Sequence, residues 1–269
     1  MQEGDRSFAG SIPALYDRLL VPLMFQVYAD DLAARVAAGA PEAVLEIAAG
    51  TGAVTRALAP KLGQKCRYVV TDLNPPMLEH ARQRQPADHR IEWHQADAAA
   101  LPVDAHSFDA VCCQFGVMFF PDRIAAYREA RRVLAPGGRL VFNTWEGLGE
   151  NVFAEQVNRV VAGRFPDDPP SFFARVPHGY HDPERVRADL AAAGLASVTV
   201  ERMQAMSTPM SAQDVATAFC QGTPLRNELE GRGADLDAVT ADVAAAITRE
   251  FGEGPVSARI GALVVTAQV

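Results

Sequence analysis

Two carboxylates bracket a glycine turn in this chain. The apolar run Val44-Leu45 reaches the acid Glu46, the small-residue stretch Ala48-Ala49-Gly50-Thr51-Gly52 follows at once, and Asp72 stands twenty residues beyond Gly52. A turn of small residues lets the backbone come close to a ligand. An acid closing the next apolar run (Tyr68, Val69, Val70) can accept hydrogen bonds from both hydroxyls of a ribose. Residues of these types at this spacing form a β-loop-α-β unit that holds an adenosine-containing cofactor.

Charge selects which cofactor. A dinucleotide loop needs a third Gly or Ala, because a pyrophosphate lies against the start of the helix. Counted from Gly50 this chain reads Gly-Thr-Gly-Ala-Val-Thr, so Thr55 occupies that position. A carboxylate at Glu46 repels pyrophosphate and attracts an ammonium group. S-adenosylmethionine (SAM) carries an ammonium, a sulfonium, a ribose and an adenine, and no phosphate. The residues therefore favour SAM, and an NAD-dependent oxidoreductase on the same fold class is the weaker alternative.

Further blocks follow in order. They are Asp72-Leu73-Asn74-Pro75-Pro76-Met77-Leu78, then Gln95-Ala96-Asp97-Ala98 with Leu101-Pro102, then Ser107-Phe108-Asp109-Ala110-Val111, then Leu134-Ala135-Pro136-Gly137-Gly138-Arg139-Leu140. Together with Glu46-x-Ala48-x-Gly50-x-Gly52 they resemble the class I SAM-dependent methyltransferases, of the type that includes the ubiquinone/menaquinone-biosynthesis enzymes. The resemblance runs from Ala43 to Trp145 and more loosely to the C-terminus. One departure is Ala48, where the family's motif has its first Gly; the added methyl narrows the turn without closing it.

The resemblance implies a doubly wound, Rossmann-like α/β fold: a seven-stranded sheet of order 3-2-1-4-5-7-6 whose last strand is antiparallel. It also implies roles. Glu46 binds the methionine ammonium, directly or through water, and Ala48, Gly50, Thr51 and Gly52 form the turn beneath the methionine moiety. Asp72 grips the ribose, Leu73 and Met77 wall the adenosine, and Asp97 with Ala98 reads the adenine edge. Gln114, Phe115 and Gly116 close the fourth strand at the sheet's carboxyl edge, beside the sulfonium. Tyr16, from a Tyr-Asp pair near the N-terminus, lies by the cofactor.

Methyl transfer from a sulfonium is an in-line displacement that alignment and water exclusion largely accelerate. A general base is needed only where the methyl-accepting substrate must lose a proton. His94, His178, Tyr180 and His181 qualify by type, and the sequence assigns catalysis to none of them. Aromatic residues at Phe119, Phe120, Trp145, Phe172 and Phe173 suggest a small hydrophobic or aromatic substrate. A SAM-binding protein without turnover, acting as a sensor or in assembly, is the alternative that the cofactor blocks leave open.

Composition narrows the setting. The 269 residues carry a net charge of −8 and no dense Lys/Arg cluster, which argues against nucleic acid. No apolar run approaches the roughly 20 residues that span a bilayer. The polar start Met1-Gln2-Glu3-Gly4-Asp5 is unlike a signal peptide, so a cytoplasmic location is expected. Cys66, Cys112, Cys113 and Cys220 form no C-x-x-C pair and have no His at ligand spacing, so no metal is expected. The expected partners are a small methyl-accepting molecule and, in a homodimer, a second copy of the chain.

The elements that must position these residues alternate. Strands are expected at 43–48, 66–72, 90–94, 108–114 and 138–145, with helices at 53–62, 75–85 and 121–134. Asn74 and Pro75 mark the start of the second helix. Beyond Trp145 a helix at 151–164 leads into an irregular stretch, of the kind that often walls a substrate site. A helix at 183–193 and a strand at 197–206 come next. Two or three helices fill 208–252, with Ser211-x-x-Asp214 as a capping box, and a strand from 258 to 269 closes the chain. The whole is read as one domain, 1–269, in which the helical segment 1–40 and the insertion 208–252 form a cap.

Overall fold

Five parallel strands build the half of the sheet that meets the glycine turn: β1 (Ala43–Glu46), β2 (Arg67–Asp72), β3 (Ile91–Gln95), β4 (Phe108–Gln114) and β5 (Leu134–Trp145). The computed structural model describes residues 3–6, 8–195 and 197–269. Four more strands follow: β6 (Ser197–Met206), the short β7 (Met210–Ser211) and β8 (Pro255–Val256), and β9 (Arg259–Gln268). The main sheet has seven strands in the order β3-β2-β1-β4-β5-β9-β6, and β7 pairs with β8 separately. β9 inserts antiparallel between β5 and β6. This is the expected topology, with the final strand in the expected place.

Both faces of the sheet are covered, so the strands read as nearly continuous apolar runs. Side chains alternate between two packed layers. Val44, Tyr68, Val70, Cys112 and Val141 enter one layer. Leu45, Val69, Val111, Cys113 and Phe142 enter the other. Glu46 shares the parity of Val44, so its carboxylate starts on that first face.

The helices are α1 (Ile12–Leu15), α2 (Gln26–Ala37), α3 (Ala53–Leu58), α4 (Pro75–Arg84), α5 (Arg123–Val133), α6 (Val152–Arg164), α7 (Phe172–Arg175), α8 (Pro183–Ala192), α9 (Ala212–Gln221), α10 (Leu225–Gly231) and α11 (Leu236–Phe251). Between α1 and α2 the chain winds as a π-helix over Tyr16–Phe25, with Pro22 inside it. The Gln26 amide accordingly reaches back five residues to the Val21 carbonyl. π-helical turns concentrate at functional sites, and this one overhangs the cleft described below. The helix α9 packs on the π-helical stretch and on α11, and α11 packs on α6.

Several boundaries differ from the sequence reading for local reasons. β1 stops at Glu46 because Ala48 turns to φ +54°. β5 begins at Leu134, since Phe108 pairs with Leu134 before the register shifts at Ala110; Pro136-Gly137-Gly138 is an irregularity within β5. The helix expected from Pro121 starts at Arg123, where the Asp122 carboxylate accepts the Ala125 amide at 2.9 Å. Asn74 holds the N-cap position of α4 but makes no side-chain cap bond; the Asp72 carboxylate takes the Asn74 amide instead, at 2.7 Å. Ser211 does cap α9, accepting the Asp214 amide at 3.0 Å.

Candidate active site

The carboxyl ends of β1, β2 and β4 open into a cleft of about 1350 Å³ of empty space, its mouth included. The turn after β1 is pinned on both sides: the Ile47 amide donates to the Cys112 carbonyl at 2.8 Å, and the Ala49 amide to the Thr71 carbonyl at 3.0 Å. Ala48, Gly50 and Gly52 all have positive φ, at 54°, 57° and 81°. An alanine in that region costs on the order of 1 kcal/mol, which the surrounding bonds hold in place. Gly116, after β4, approaches this turn closely enough that a Cβ there would sit 2.6 Å from the Ala48 Cβ.

Asp72 joins the turn to β2. One carboxylate oxygen accepts the Gly50 amide at 2.8 Å and the other the Asn74 amide at 2.7 Å. Burial raises its pKa, opposed by these amide bonds. Thr51 Oγ1 and Gln114 Oε1 are buried polar atoms with no hydrogen-bond partner among the described residues, and both residues line the cleft. The wall is thus partly polar and unsaturated at this end.

Twelve of the residues expected at a cofactor line the cleft: Tyr16, Ala48, Gly50, Thr51, Asp72, Leu73, Met77, Asp97, Ala98, Gln114, Phe115 and Gly116. Glu46 and Gly52 do not. Glu46 is 1% exposed, and its Oε2 accepts hydrogen bonds from Thr55 Oγ1 at 2.7 Å and from the Tyr68 hydroxyl. Its carboxylate therefore lies behind the turn, on the α3 face of the sheet, and not among the residues that line the cleft. Burial pushes its pKa up to about 7, against the lowering effect of the Tyr68 and Thr55 bonds. Gly52 instead serves packing: a Cβ there would lie 3.0 Å from the Ala81 Cβ of α4.

The other end of the cleft is aromatic. Phe119, Phe120, Trp145, Phe172 and Phe173, all named from the sequence, line it. Trp145 stacks on Phe115 with centroids 3.7 Å apart and planes 7° from parallel. Phe115 has φ +50°, and its amide is held by the Asn143 side-chain oxygen at 3.0 Å. Strain of this sort at a cleft wall persists only where neighbours over-determine it. Phe25 and Tyr28 pack edge-on against the same pair.

A clasp holds the N-terminal segment over the cleft. Asp17, next to Tyr16, contacts Arg56 of α3 at 2.6 Å, and His80 and Arg84 of α4 at 3.2 Å each. Burial alone would raise the Asp17 pKa, but the Arg56 charge and the bonds from His80 and Arg56 outweigh it and leave it lowered. Sequence reasoning missed this clasp. The cue was present in the acid beside Tyr16, but its partners lie 39 or more residues away. It also missed Asn74, Phe219 and Thr223 as cleft residues.

Of the four bases considered by type, only His178 lines the cleft. His94 is exposed on β3, with Glu92 at 3.7 Å. The Tyr180 hydroxyl donates to Asp189 at 2.8 Å, and His181 Nδ1 lies 2.6 Å from the His178 carbonyl oxygen. Among the described residues no group of His, Cys, Asp and Glu gathers to hold a metal ion. No helix among them is long and apolar enough to cross a membrane.

Known proteins resemble this chain in sequence and in fold. The methyltransferase-domain family model matches residues 45–142. The ubiquinone/menaquinone biosynthesis C-methyltransferase of Hahella chejuensis is 44% identical over 110 residues, 39% of this chain and 43% of the relative. The match thus spans less than half of that relative's length. The demethylmenaquinone methyltransferase of Thermus thermophilus is 34% identical over 167 residues, 58% of this chain and 74% of the relative. The chain belongs to the class I SAM-dependent methyltransferase family. Among solved structures, phosphoethanolamine N-methyltransferase 2 of Haemonchus contortus superposes with a TM-score of 0.59 at 14% identity, over 98% of this chain and 59% of that one. At that identity the likeness is one of fold.

Proposed function

We propose that the chain transfers a methyl group from SAM to a small hydrophobic, aromatic molecule. The observation that carries this reading is one cleft with two unlike ends: Asp72, Thr51 and Gln114 at the first, and an aromatic wall at the second. The orphaned Thr51 Oγ1 and Gln114 Oε1 fit a ligand rich in donors and acceptors.

Asp72 would accept the ribose hydroxyls with its free lone pairs, and Asp97 the exocyclic amine of adenine. Leu73, Met77 and Ala98 would cover the adenosine faces, with Tyr16 above. Glu46, beneath the turn, would attract the ammonium through its field and an intervening water. Bound SAM supplies an electrophilic methyl on a positively charged sulfur. Gln114, Phe115 and Gly116 align that end of the cleft with the aromatic wall, and the segment clasped by Asp17 excludes water. The names of the two relatives concern ubiquinone/menaquinone biosynthesis and demethylmenaquinone, which agrees with an aromatic ring as substrate.

The same reading treats 1–269 as one domain with the 1–40 and 208–252 segments as its cap, acting in the cytoplasm, where the four buried free cysteines stay reduced. The net charge of −8 makes nucleic acid a poor substrate, and a homodimer is a matter for light scattering. Incubation with methyl-labelled SAM and a panel of quinols, phenols and amines tests the function. Transfer to an aromatic member is expected; tight SAM binding with transfer to none would replace the enzyme by a sensor.

A further inference from the structure

The aromatic end of the cleft carries two polar side chains from outside the sheet, Thr223 of the 208–252 insertion and His178 of the stretch before α8. The Thr223 hydroxyl is already used: it donates to the Phe219 carbonyl at 2.7 Å and accepts the Leu225 amide at 3.2 Å. His178 is half used. Its Nδ1 lies 2.8 Å from the carbonyl oxygen of Glu146, which can only accept, so Nδ1 carries the hydrogen. The ring is 4% exposed, and burial lowers its pKa to about 4. A neutral imidazole protonated at Nδ1 has a lone pair on Nε2, and no described residue donates to it.

The ring is also fixed in place. The His178 amide donates to the Phe173 carbonyl at 2.9 Å, and a Cβ at the next residue, Gly179, would stand 2.3 Å from the Arg175 carbonyl oxygen. Only glycine closes that turn without displacing it. His178 lies against Trp145, centroids 6.3 Å apart, and Trp145 stacks on Phe115 at 3.7 Å. Two ring contacts thus connect His178 to Phe115, which follows β4 and precedes Gly116.

We propose that His178 Nε2 receives the hydroxyl of the methyl-accepting substrate, which makes that substrate a hydroxyl-bearing aromatic, a phenol or hydroquinol, and His178 the catalytic base. This rests on the methyltransferase reading above. The O–H proton passes to Nε2 and its electron pair stays on the substrate, shared by the oxygen and the ortho ring carbon. One of those atoms forms the new bond to the methyl carbon as the C–S bond breaks and leaves its pair on sulfur, now a neutral thioether. Where carbon attacks, its own C–H proton then leaves and the oxygen is re-protonated. Either way the substrate loses one proton per methyl gained, and the imidazolium passes the surplus proton to water. The positive charge moves from sulfur to imidazolium while the buried cleft keeps its total charge. That spares the desolvated site an uncompensated change.

Two variants and two readouts test this. His178→Asn keeps a donor for the Glu146 carbonyl and removes the base. His178→Gln places an amide oxygen near the position of Nε2, which accepts a hydrogen bond but no proton. With the protein saturated in S-adenosylhomocysteine, 1-naphthol is expected to bind at least about tenfold more tightly than 1-methoxynaphthalene. His178→Asn removes that preference and His178→Gln retains it. In turnover both variants lose kcat by about 10²–10⁴-fold on hydroxylated aromatics, with SAM affinity and melting temperature close to wild type. Equal binding of naphthol and its ether to wild type, or kcat in His178→Asn within threefold of wild type, overturns the proposal. Absence of turnover in wild type with every substrate refutes the methyltransferase reading and the base role; the binding comparison still decides whether His178 selects hydroxyls.

Discussion

The Asp72 carboxylate accepts the Gly50 amide at 2.8 Å, across 22 residues of sequence, and so locks the glycine turn to the end of β2. The same group carries the charge that a ribose diol would meet. Asp72→Asn keeps one acceptor oxygen and loses the charge. Hydrogen bonds to charged groups are worth about 1.5–3 kcal/mol, so SAM affinity is expected to fall about 10- to 100-fold, read by calorimetric titration.

Gly116→Ala tests the close approach of the two loops. Its Cβ would lie 2.6 Å from the Ala48 Cβ and 2.7 Å from Cys113 Sγ, both packed and short of room to yield. Overpacking of this kind costs about 1–3 kcal/mol. A lower denaturation midpoint is expected, with weakened SAM binding, because the displaced group is the turn itself.

Asp17→Asn loosens the clasp on Arg56, His80 and Arg84. The Asp17 pKa is lowered in the folded protein, so its contribution to stability is present above the unfolded aspartate range and is lost as pH falls through the folded value. At neutral pH the variant is expected to forfeit roughly 1–2 kcal/mol of local closure. Hydrogen exchange over residues 12–25 should quicken, and SAM should leave about tenfold faster.

Much of this site is written in short-range signals. The alternation of Val44 and Leu45, of Cys112 and Cys113, and the Pro75 helix start each depend on neighbours a few residues away. The blocks of small and acidic residues then place eight of the twelve expected residues around one cleft, and Tyr16, Gln114, Phe115 and Gly116 join them from outside those blocks. What stayed hidden depends on distant partners. Glu46 has the parity of Val44, but its burial follows from Tyr68 and Thr55 closing over it. The π-helical winding over Tyr16–Phe25 has no periodicity that sets it apart from an α-helix. That His178 and not His181 reaches the cleft is decided by a turn around Gly179, and Phe219 enters from an insertion 40 or more residues further on.

Two buried groups give opposite pH dependences. His178 has a folded pKa of about 4, below its unfolded value of 6.5, so its share of stability is present above 6.5 and lost as pH falls towards 4. The groups acting on it are the Glu146 backbone carbonyl and the His181 ring. Glu46 has a folded pKa of about 7 against 4.5, so its share is present below 4.5 and lost as pH rises through 7. Each shift corresponds to a change of about 3 kcal/mol. Chemical denaturation between pH 4 and 8 should show Glu46→Gln gaining stability relative to wild type towards pH 8, and His178→Asn gaining it towards pH 4.

Titration calorimetry of SAM into the protein at pH 7, in two buffers of different ionisation enthalpy, reaches the central claim most directly. With its pKa pushed up to about 7 by burial, Glu46 beneath the turn carries a proton that an arriving ammonium would help to expel. The account predicts saturable binding accompanied by release of up to about half a proton, and weaker binding without proton release in Glu46→Gln. No affinity for SAM or S-adenosylhomocysteine, or a wild-type binding enthalpy identical in both buffers, would contradict it.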